Sequence, residues 1–329
     1  MTTTTDVIGR ARLGPIADAV AAATDDLVAR DALHRMWVGD HTLWSEDPTE
    51  VADRLGWLAV VGEMADRVGE LEALAAEVAA DGLRHVVLLG MGGSSLFPEV
   101  LGRSFTPMPG RLDLTVLDTT DPAAVARVDG RLDLDACLFV AASKSGTTIE
   151  TTSQLAHFWA LTGGDARRFL AISDPGTELT ALGHERGFRR VYENRPDIGG
   201  RYSALSYFGL VPAALLGIDL GELMARIPPL AAATTAPELP GEEHPALVLG
   251  ATIGAAARAG RDKLTLVLPR EIGMFGLWLE QLVAESTGKQ GTGIVPVAGE
   301  HLGRPESYGD DRCFVAVGYR PGLDHLVEA

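Results

Sequence analysis

The chain has 329 residues, with 28 Lys plus Arg against 45 Asp plus Glu, for a formal net charge of −17. Its 46% hydrophobic content is too high for a disordered chain, and 38 glycines without a strict period exclude a collagen-like repeat. Two cysteines cannot build a disulfide scaffold, and so acidic a chain, showing no basic patch, lacks the clustered cations that nonspecific nucleic-acid binding requires. No apolar run reaches the roughly 18 residues needed to span a bilayer, and the threonine-rich start, Met1 to Asp6, lacks the pattern of a secretory signal. The expectation is a cytoplasmic protein acting on something small, with Cys137 and Cys313 as buried thiols in apolar runs.

Residues 1 to about 80 read as helical. Apolar positions recur at helical spacing over Ile16–Arg30 and again over Val51–Ala80, around Leu55, Leu58, Met64, Val68, Leu71 and Leu74. Trp37 to Trp44 is irregular, and Asp47-Pro48 is expected to start a helix, since Pro is tolerated in a first turn. Trp37, Trp44 and Trp57 read as core anchors. From His85 the texture changes to short runs apolar on both faces: 85–89, 112–117, 137–141, 169–172 and 190–192. Continuous apolar strands alternating with helices predict a doubly wound α/β unit with a parallel sheet, whose ligand loops lie at the strands' carboxyl ends. Beyond Gly199 come a helix near 204–216, a Pro/Ala/Thr linker over 228–240 and helices near 244–259 and 274–286. Strands are expected at 264–268, 294–297 and 313–317, a second and smaller α/β unit. The end, Gly322 to Ala329, reads as the opening turns of a helix.

Four loops could carry chemistry. Gly90-Met-Gly92-Gly93-Ser94-Ser95 stands between a strand and a helix, where glycines admit close approach and helix-start amides favour an anion. It narrowly misses a dinucleotide fingerprint, because Ser95 replaces the third Gly, although Asp118 could imitate the ribose-binding acid. Ser143-Lys144-Ser145-Gly146-Thr147-Thr148-Ile149-Glu150-Thr151 packs six hydroxyls into nine residues at another strand-to-helix junction. One cap needs one such residue; this many donors suit a phosphate monoester. Gly199-Gly200-Arg201-Tyr202-Ser203 can aim a fixed charge into a cleft. Glu285, near the last turn of a helix closed by Gly288, is disfavoured by the helix dipole, yet is also what a solvated helix end would show. The eight histidines lack ligand spacing, so a zinc site is not expected; no metal and no cofactor enter the expected chemistry.

Taken in order, Gly90-Met-Gly-Gly-Ser-Ser-Leu, Ser143-Lys-Ser-Gly-Thr-Thr-Ile-Glu-Thr, Gly199-Gly-Arg-Tyr-Ser-Ala-Leu-Ser and Glu285-Ser-Thr-Gly-Lys resemble the phosphoglucose isomerase family. The wording is most similar to the isomerase half of transaldolase/phosphoglucose isomerase fusions. The resemblance implies two sugar-isomerase-type, flavodoxin-like three-layer αβα domains, here 46–195 and a smaller, truncated 196–329, preceded by a helical segment 1–45. It implies a metal-independent aldose–ketose isomerase of glycolysis and gluconeogenesis that interconverts glucose 6-phosphate and fructose 6-phosphate, usually as a homodimer. By resemblance Ser143, Ser145 and Thr148, with Thr147, Lys144 and Thr151, hold the phosphate, and Gly93 and Ser94 line the sugar. Glu285 matches the base that shuttles a proton between C1 and C2, and Arg201 the group that steadies the enediolate. The family's ring-opening residues, a His in a Gln-His-Ala/Ser stretch and a C-terminal Lys, are not matched; His301 follows Glu285 without that context. Sugar-phosphate binding without turnover is therefore the alternative expectation.

Overall fold

A computed structural model describes residues 11–106, 108, 110–235 and 244–318. They form two compact units, one of Thr49–Ala225 and one joining the residues up to Pro48 with those from Arg226 onward. In the first, strands β1 (His85–Gly90), β2 (Asp113–Leu117), β3 (Cys137–Ala142), β4 (Phe169–Ser173) and β5 (Arg190–Glu193) make one parallel sheet in the order β2-β1-β3-β4-β5. This is the flavodoxin-like order, in which the chain winds one way from β1 to β2 and the other way from β3 onward.

The sheet is sandwiched because its central strands are apolar on both sides. From one face Val87, Leu89, Phe139, Ala141, Phe169 and Ala171 meet Val128, Leu155, Phe158, Leu179 and Phe188, carried by or flanking the helices Pro122–Arg131, Ile149–Leu161 and Glu178–Arg186. Phe139 stacks on Phe158 at 4.7 Å and on Phe169 at 5.2 Å; each such ring contributes about 1.5–3 kcal/mol on leaving water. Alternation turns Val86, Leu88, Leu138, Val140, Leu170 and Ile172, all fully buried, to the other face. There Tyr207–Leu216, buried from Phe208 to Leu216, packs on Val68–Ala80 and Leu96–Ser104. Through that packing the unit runs on to Ala225 rather than ending at the expected boundary near residue 195.

In the other unit β6 (Lys263–Val267) lies between β7 (Val295–Ala298) and β8 (Arg312–Ala316), all parallel. Helix Phe275–Thr287 packs on β7, and helix Ala17–Ala29 packs along Pro245–Arg258 through Val20, Ala251 and Ala255. Each of the eight expected strands is present.

The helical periodicity over 51–80 is broken. Two 3-10 turns, Ala52–Arg54 and Gly56–Leu58, precede helices Val60–Ala65 and Val68–Ala80. The backbone there is taken elsewhere, since Leu55 bridges Ile198 and the Gly56 N–H donates to the Asp197 carbonyl at 2.9 Å. Asp47-Pro48 starts no helix, for Glu50 follows in a turn with φ +56°. Much of the expected linker is helix Ile227–Thr235, its two prolines falling in the first turn; residues 236–240 of that linker, and the expected terminal helix 322–329, lie outside the described residues. Cys137 is fully buried, which pushes its thiol up to about 11, whereas Cys313 is only half-buried. Trp44 is 49% exposed and anchors no core. Among the described residues no helix is long and apolar enough to cross a membrane.

The irregular stretch after helix Ala32–Trp37 is ordered by Asp40. Its carboxylate accepts from the Thr42 hydroxyl at 2.6 Å, the Thr42 N–H at 3.0 Å and the Arg35 Nε at 2.7 Å. The Thr42 hydroxyl above all, then Arg35, hold this carboxyl down at about 2. A depressed carboxyl stabilises the fold in full above its unfolded value near 4, and loses that contribution as pH falls through the folded value. Asp40→Asn should therefore have a lower urea midpoint than the parent at pH 6, and the two midpoints should converge toward pH 2; a gap unchanged with pH would contradict this.

Candidate active site

The switch point of the first sheet lies between β1 and β3, which run side by side from His85 opposite Cys137 to Gly90 opposite Ala142. Both glycine- and hydroxyl-bearing loops leave the sheet there, at the same level, where open α/β sheets bind their ligands.

The loop after β3 is built as a cradle. Ser143, 2% exposed, bonds the Thr148 hydroxyl at 2.8 Å and accepts from the Gly146 N–H at 3.1 Å. Gly146 has φ +70°, and a Cβ there would lie 2.6 Å from the Thr177 Cβ, so the turn admits little else. The exposed Ser145 hydroxyl accepts from the Thr147 hydroxyl at 3.1 Å and the Thr147 N–H at 3.3 Å. Thr148 is the N-cap of helix Ile149–Leu161 but makes no side-chain cap bond, since its hydroxyl is turned to Ser143. The first-turn amides of that helix thus keep the positive end of the dipole open toward the loop. Thr151 differs: it is 1% exposed and its hydroxyl has no partner among the described residues.

Lys144 points the other way. Its ammonium donates to Asp174, just after β4, and to the Pro196 carbonyl at 2.7 Å, beyond β5. Burial pushes the Asp174 carboxyl up against the opposing pull of Lys144.

From β5 the chain returns across the sheet's carboxyl edge. Asn194 donates its N–H to the Ser173 carbonyl of β4 at 2.7 Å, Pro196 accepts from Lys144 beyond β3, and Gly200 meets Gly93 beyond β1. This strap passes β4, β3 and β1 in turn. Arg195 ties it laterally to Glu63 and, through Nε at 2.8 Å, to Asp197. At its far end the Ser203 hydroxyl donates to the Gly200 carbonyl at 2.6 Å and reaches the Gly93 carbonyl at 3.3 Å. Gly93 permits this contact, for a Cβ there would stand 2.1 Å from the Gly200 oxygen. Arg201 is carried on this landing, its guanidinium 5.0 Å from the ring of Tyr202, which in turn stacks on Trp57. Ser94 is buried behind it and Ser95 bonds back to Gly92 at 3.1 Å.

The unit Thr49–Ala225 thus brings together Gly93, Ser94, the cradle 143–151 and Arg201. Glu285 belongs to the other unit, exposed in the last turn of helix Phe275–Thr287. The end of that helix is fixed by the Thr287 hydroxyl, which donates to the Val283 carbonyl at 2.8 Å and accepts from the Ile294 N–H at 3.0 Å. Sequence reasoning did not single out Asp174 or Pro196; the one signal for Asp174 was its place two residues past the expected strand 169–172, at the carboxyl edge.

A family model for phosphoglucose isomerase matches residues 52–292, spanning all four motif segments. The chain belongs to the phosphoglucose isomerase family. A glucose-6-phosphate isomerase of Synechococcus sp. (strain JA-3-3Ab) is 34% identical over 241 residues, covering 68% of this chain and 45% of that protein. The chain spans less than half the length of such curated relatives. In fold it is similar to a hypothetical protein of Thermus thermophilus (TM-score 0.74, 24% identity, 94% of this chain and 78% of that one). It is also similar to a glucose-6-phosphate isomerase of Chlamydia trachomatis D/UW-3/Cx (TM-score 0.66, 21% identity, 85% and 61%). The three-layer αβα architecture is thus that of phosphoglucose isomerase relatives.

Because the obstacle to a Cβ at Gly93 is backbone, Gly93→Ala must displace the strap. We expect a stability loss of about 1–3 kcal/mol, the usual cost of overpacking, read as a lower urea midpoint. A midpoint equal to the parent's would show that the landing is not tight.

Proposed function

We propose that the protein is an aldose–ketose isomerase interconverting glucose 6-phosphate and fructose 6-phosphate in the cytoplasm, the step shared by glycolysis and gluconeogenesis. The observation that carries this reading is the hydroxyl-lined loop Ser143–Thr148 at the switch point, with an arginine-bearing strap seated on the neighbouring glycine loop, in a chain of the phosphoglucose isomerase family. Ser143, Ser145, Thr147 and Thr148, with Thr151 behind them, are assigned to the phosphate and Lys144 lends its charge from the floor. Gly93 and Ser94 line the sugar. Remote from the reacting carbons, the phosphate is a handle whose binding energy orients the rest of the substrate.

In the open-chain sugar, Glu285 takes the proton from C2 of glucose 6-phosphate; the C1–C2 bond gains double-bond character and negative charge develops on the C1 oxygen. The C2 hydroxyl proton passes to the C1 oxygen, and returning the carbon-bound proton to C1 as the carbonyl forms at C2 gives fructose 6-phosphate. One carboxylate reachable from both carbons suffices for this. Arg201 is the oriented cation that stabilises the enediolate, the electrostatic contribution expected to dominate such a reaction. Assembly as a homodimer is part of the same reading. Binding without turnover, raised by the unmatched ring-opening residues, has no structural observation in its favour.

Proton shuttling by a base open to exchange with solvent should carry deuterium from heavy water into C1 of fructose 6-phosphate. NMR should detect this exchange in the parent, and Glu285→Gln should slow it by about 10²–10⁴-fold. A parent that exchanges nothing, or a variant that exchanges as fast as the parent, overturns the assignment.

A further inference from the structure

The strap that carries Arg201 is held to the sheet at three stations, and the middle one is made by side chains. At the first, backbone bonds backbone, Asn194 to Ser173; at the third, Gly200 lies against Gly93. Between them Pro196 has no N–H to offer, so only its carbonyl can be grasped. Lys144 grasps it at 2.7 Å, and the same ammonium is held by Asp174. An ammonium has three donors, and these two bonds use two of them.

The Lys144–Asp174 pair is well placed to be more than a surface ion pair. The side chains are 26% and 14% exposed, so screening is partial. The two residues are also tied through the backbone, since Asp174 donates its N–H to the Lys144 carbonyl at 3.3 Å and the neighbouring Ser173 hydroxyl reaches the same carbonyl at 3.4 Å. Lys144 lies in the loop whose neighbouring hydroxyls, Ser143, Ser145, Thr147 and Thr148, form the phosphate cradle. A shift of that loop on loading can therefore reach the strap through Pro196, five positions before Arg201.

We propose that Asp174 is a positioning residue: by fixing the Lys144 ammonium beneath the Pro196 carbonyl, it sets where the strap, and with it the Arg201 guanidinium, stands relative to the phosphate cradle. Asp174 touches no substrate. Its contribution lies in the rate of the step that Arg201 assists, while phosphate capture remains with the hydroxyls and the helix amides. This rests on the isomerase reading for its kinetic and calorimetric arms, and the exchange arm stands apart from it.

Asp174→Asn keeps the shape while removing the charge, and Lys144→Met removes the grip from the other side. Hydrogen exchange followed by mass spectrometry reads the strap directly, whether or not the chain turns over. Peptides covering 197–203 should lose at least 10-fold in protection in either variant, and the double variant should lose no more than Lys144→Met alone, as expected of residues acting as a unit. Calorimetry with 6-phosphogluconate should show affinity of Asp174→Asn within about 3-fold of the parent. On fructose 6-phosphate kcat should fall on the order of 10²-fold, the usual consequence of a misplacement near 1 Å, with KM changed much less, and Lys144→Arg should retain most of the parent's protection. A strap as protected in both variants as in the parent overturns the proposal, as does a loss expressed mainly in KM and in 6-phosphogluconate affinity. A parent without turnover but with the expected change in protection would count against the isomerase reading and leave the positioning role standing.

Discussion

The constraint on which the site depends is that one segment, 194–203, must lie across the ends of three neighbouring strands at once. A parallel sheet presents its carboxyl edge as a row of loops at equal height, because the β1–β3 and β3–β4 registers align their last residues. The strap converts that row into a surface: it closes over β4 and β3 and lands on the glycine loop of β1. The residues that allow the landing are defined by what they lack. Gly93 lacks a Cβ that would strike the Gly200 carbonyl, and Gly56, on the outer side, leaves room for the Asp197 carboxylate. Charge then does the fastening, with Arg195 held by Asp197 and Glu63, and Lys144 by Asp174.

The proposed phosphate site has to hold a dianion on a chain of net charge −17, and this layout suits that task. The cradle relies little on full positive charges. Its lysine is paired with Asp174, and beside it stand a set of hydroxyls and the open first turn of helix Ile149–Leu161. Oriented dipoles of this kind cost no buried charge when the site is empty, and they suit a fold whose overall field is repulsive to anions.

Much of the fold was legible in the sequence because its signals are local. The runs at 85–89, 137–141 and 169–172 are apolar on both faces and became the central strands, each within a residue or two of its observed ends. The hydroxyl density of 143–151 likewise marked the cradle. What escaped depends on partners far along the chain. The helix expected from 51 breaks where Leu55 and Gly56 pair with Ile198 and Asp197, and no pattern near residue 55 announces a partner 140 residues on. That the Lys144 amine is held by Asp174 and Pro196 is likewise something periodicity cannot bring into view. Helix Tyr207–Leu216 was placed with the later segment by order along the chain, but its apolar surface packs on helices more than 100 residues earlier.

The discontinuous unit has a consequence for how the polypeptide is made. Thr49–Ala225 is a single stretch that can complete its sheet as soon as it has left the ribosome, and domains generally fold in that vectorial manner. Helix Ala17–Ala29 has no such freedom, because its partner Pro245–Arg258 is translated more than 200 residues later. Throughout that interval Val20, Ala23 and Leu27 lack the cover of Ala251 and Ala255, so the nascent chain carries a greasy stripe that chaperones are suited to shield. Closing so long an excursion costs only slowly growing entropy, so the burden falls on the timing of assembly more than on the final stability.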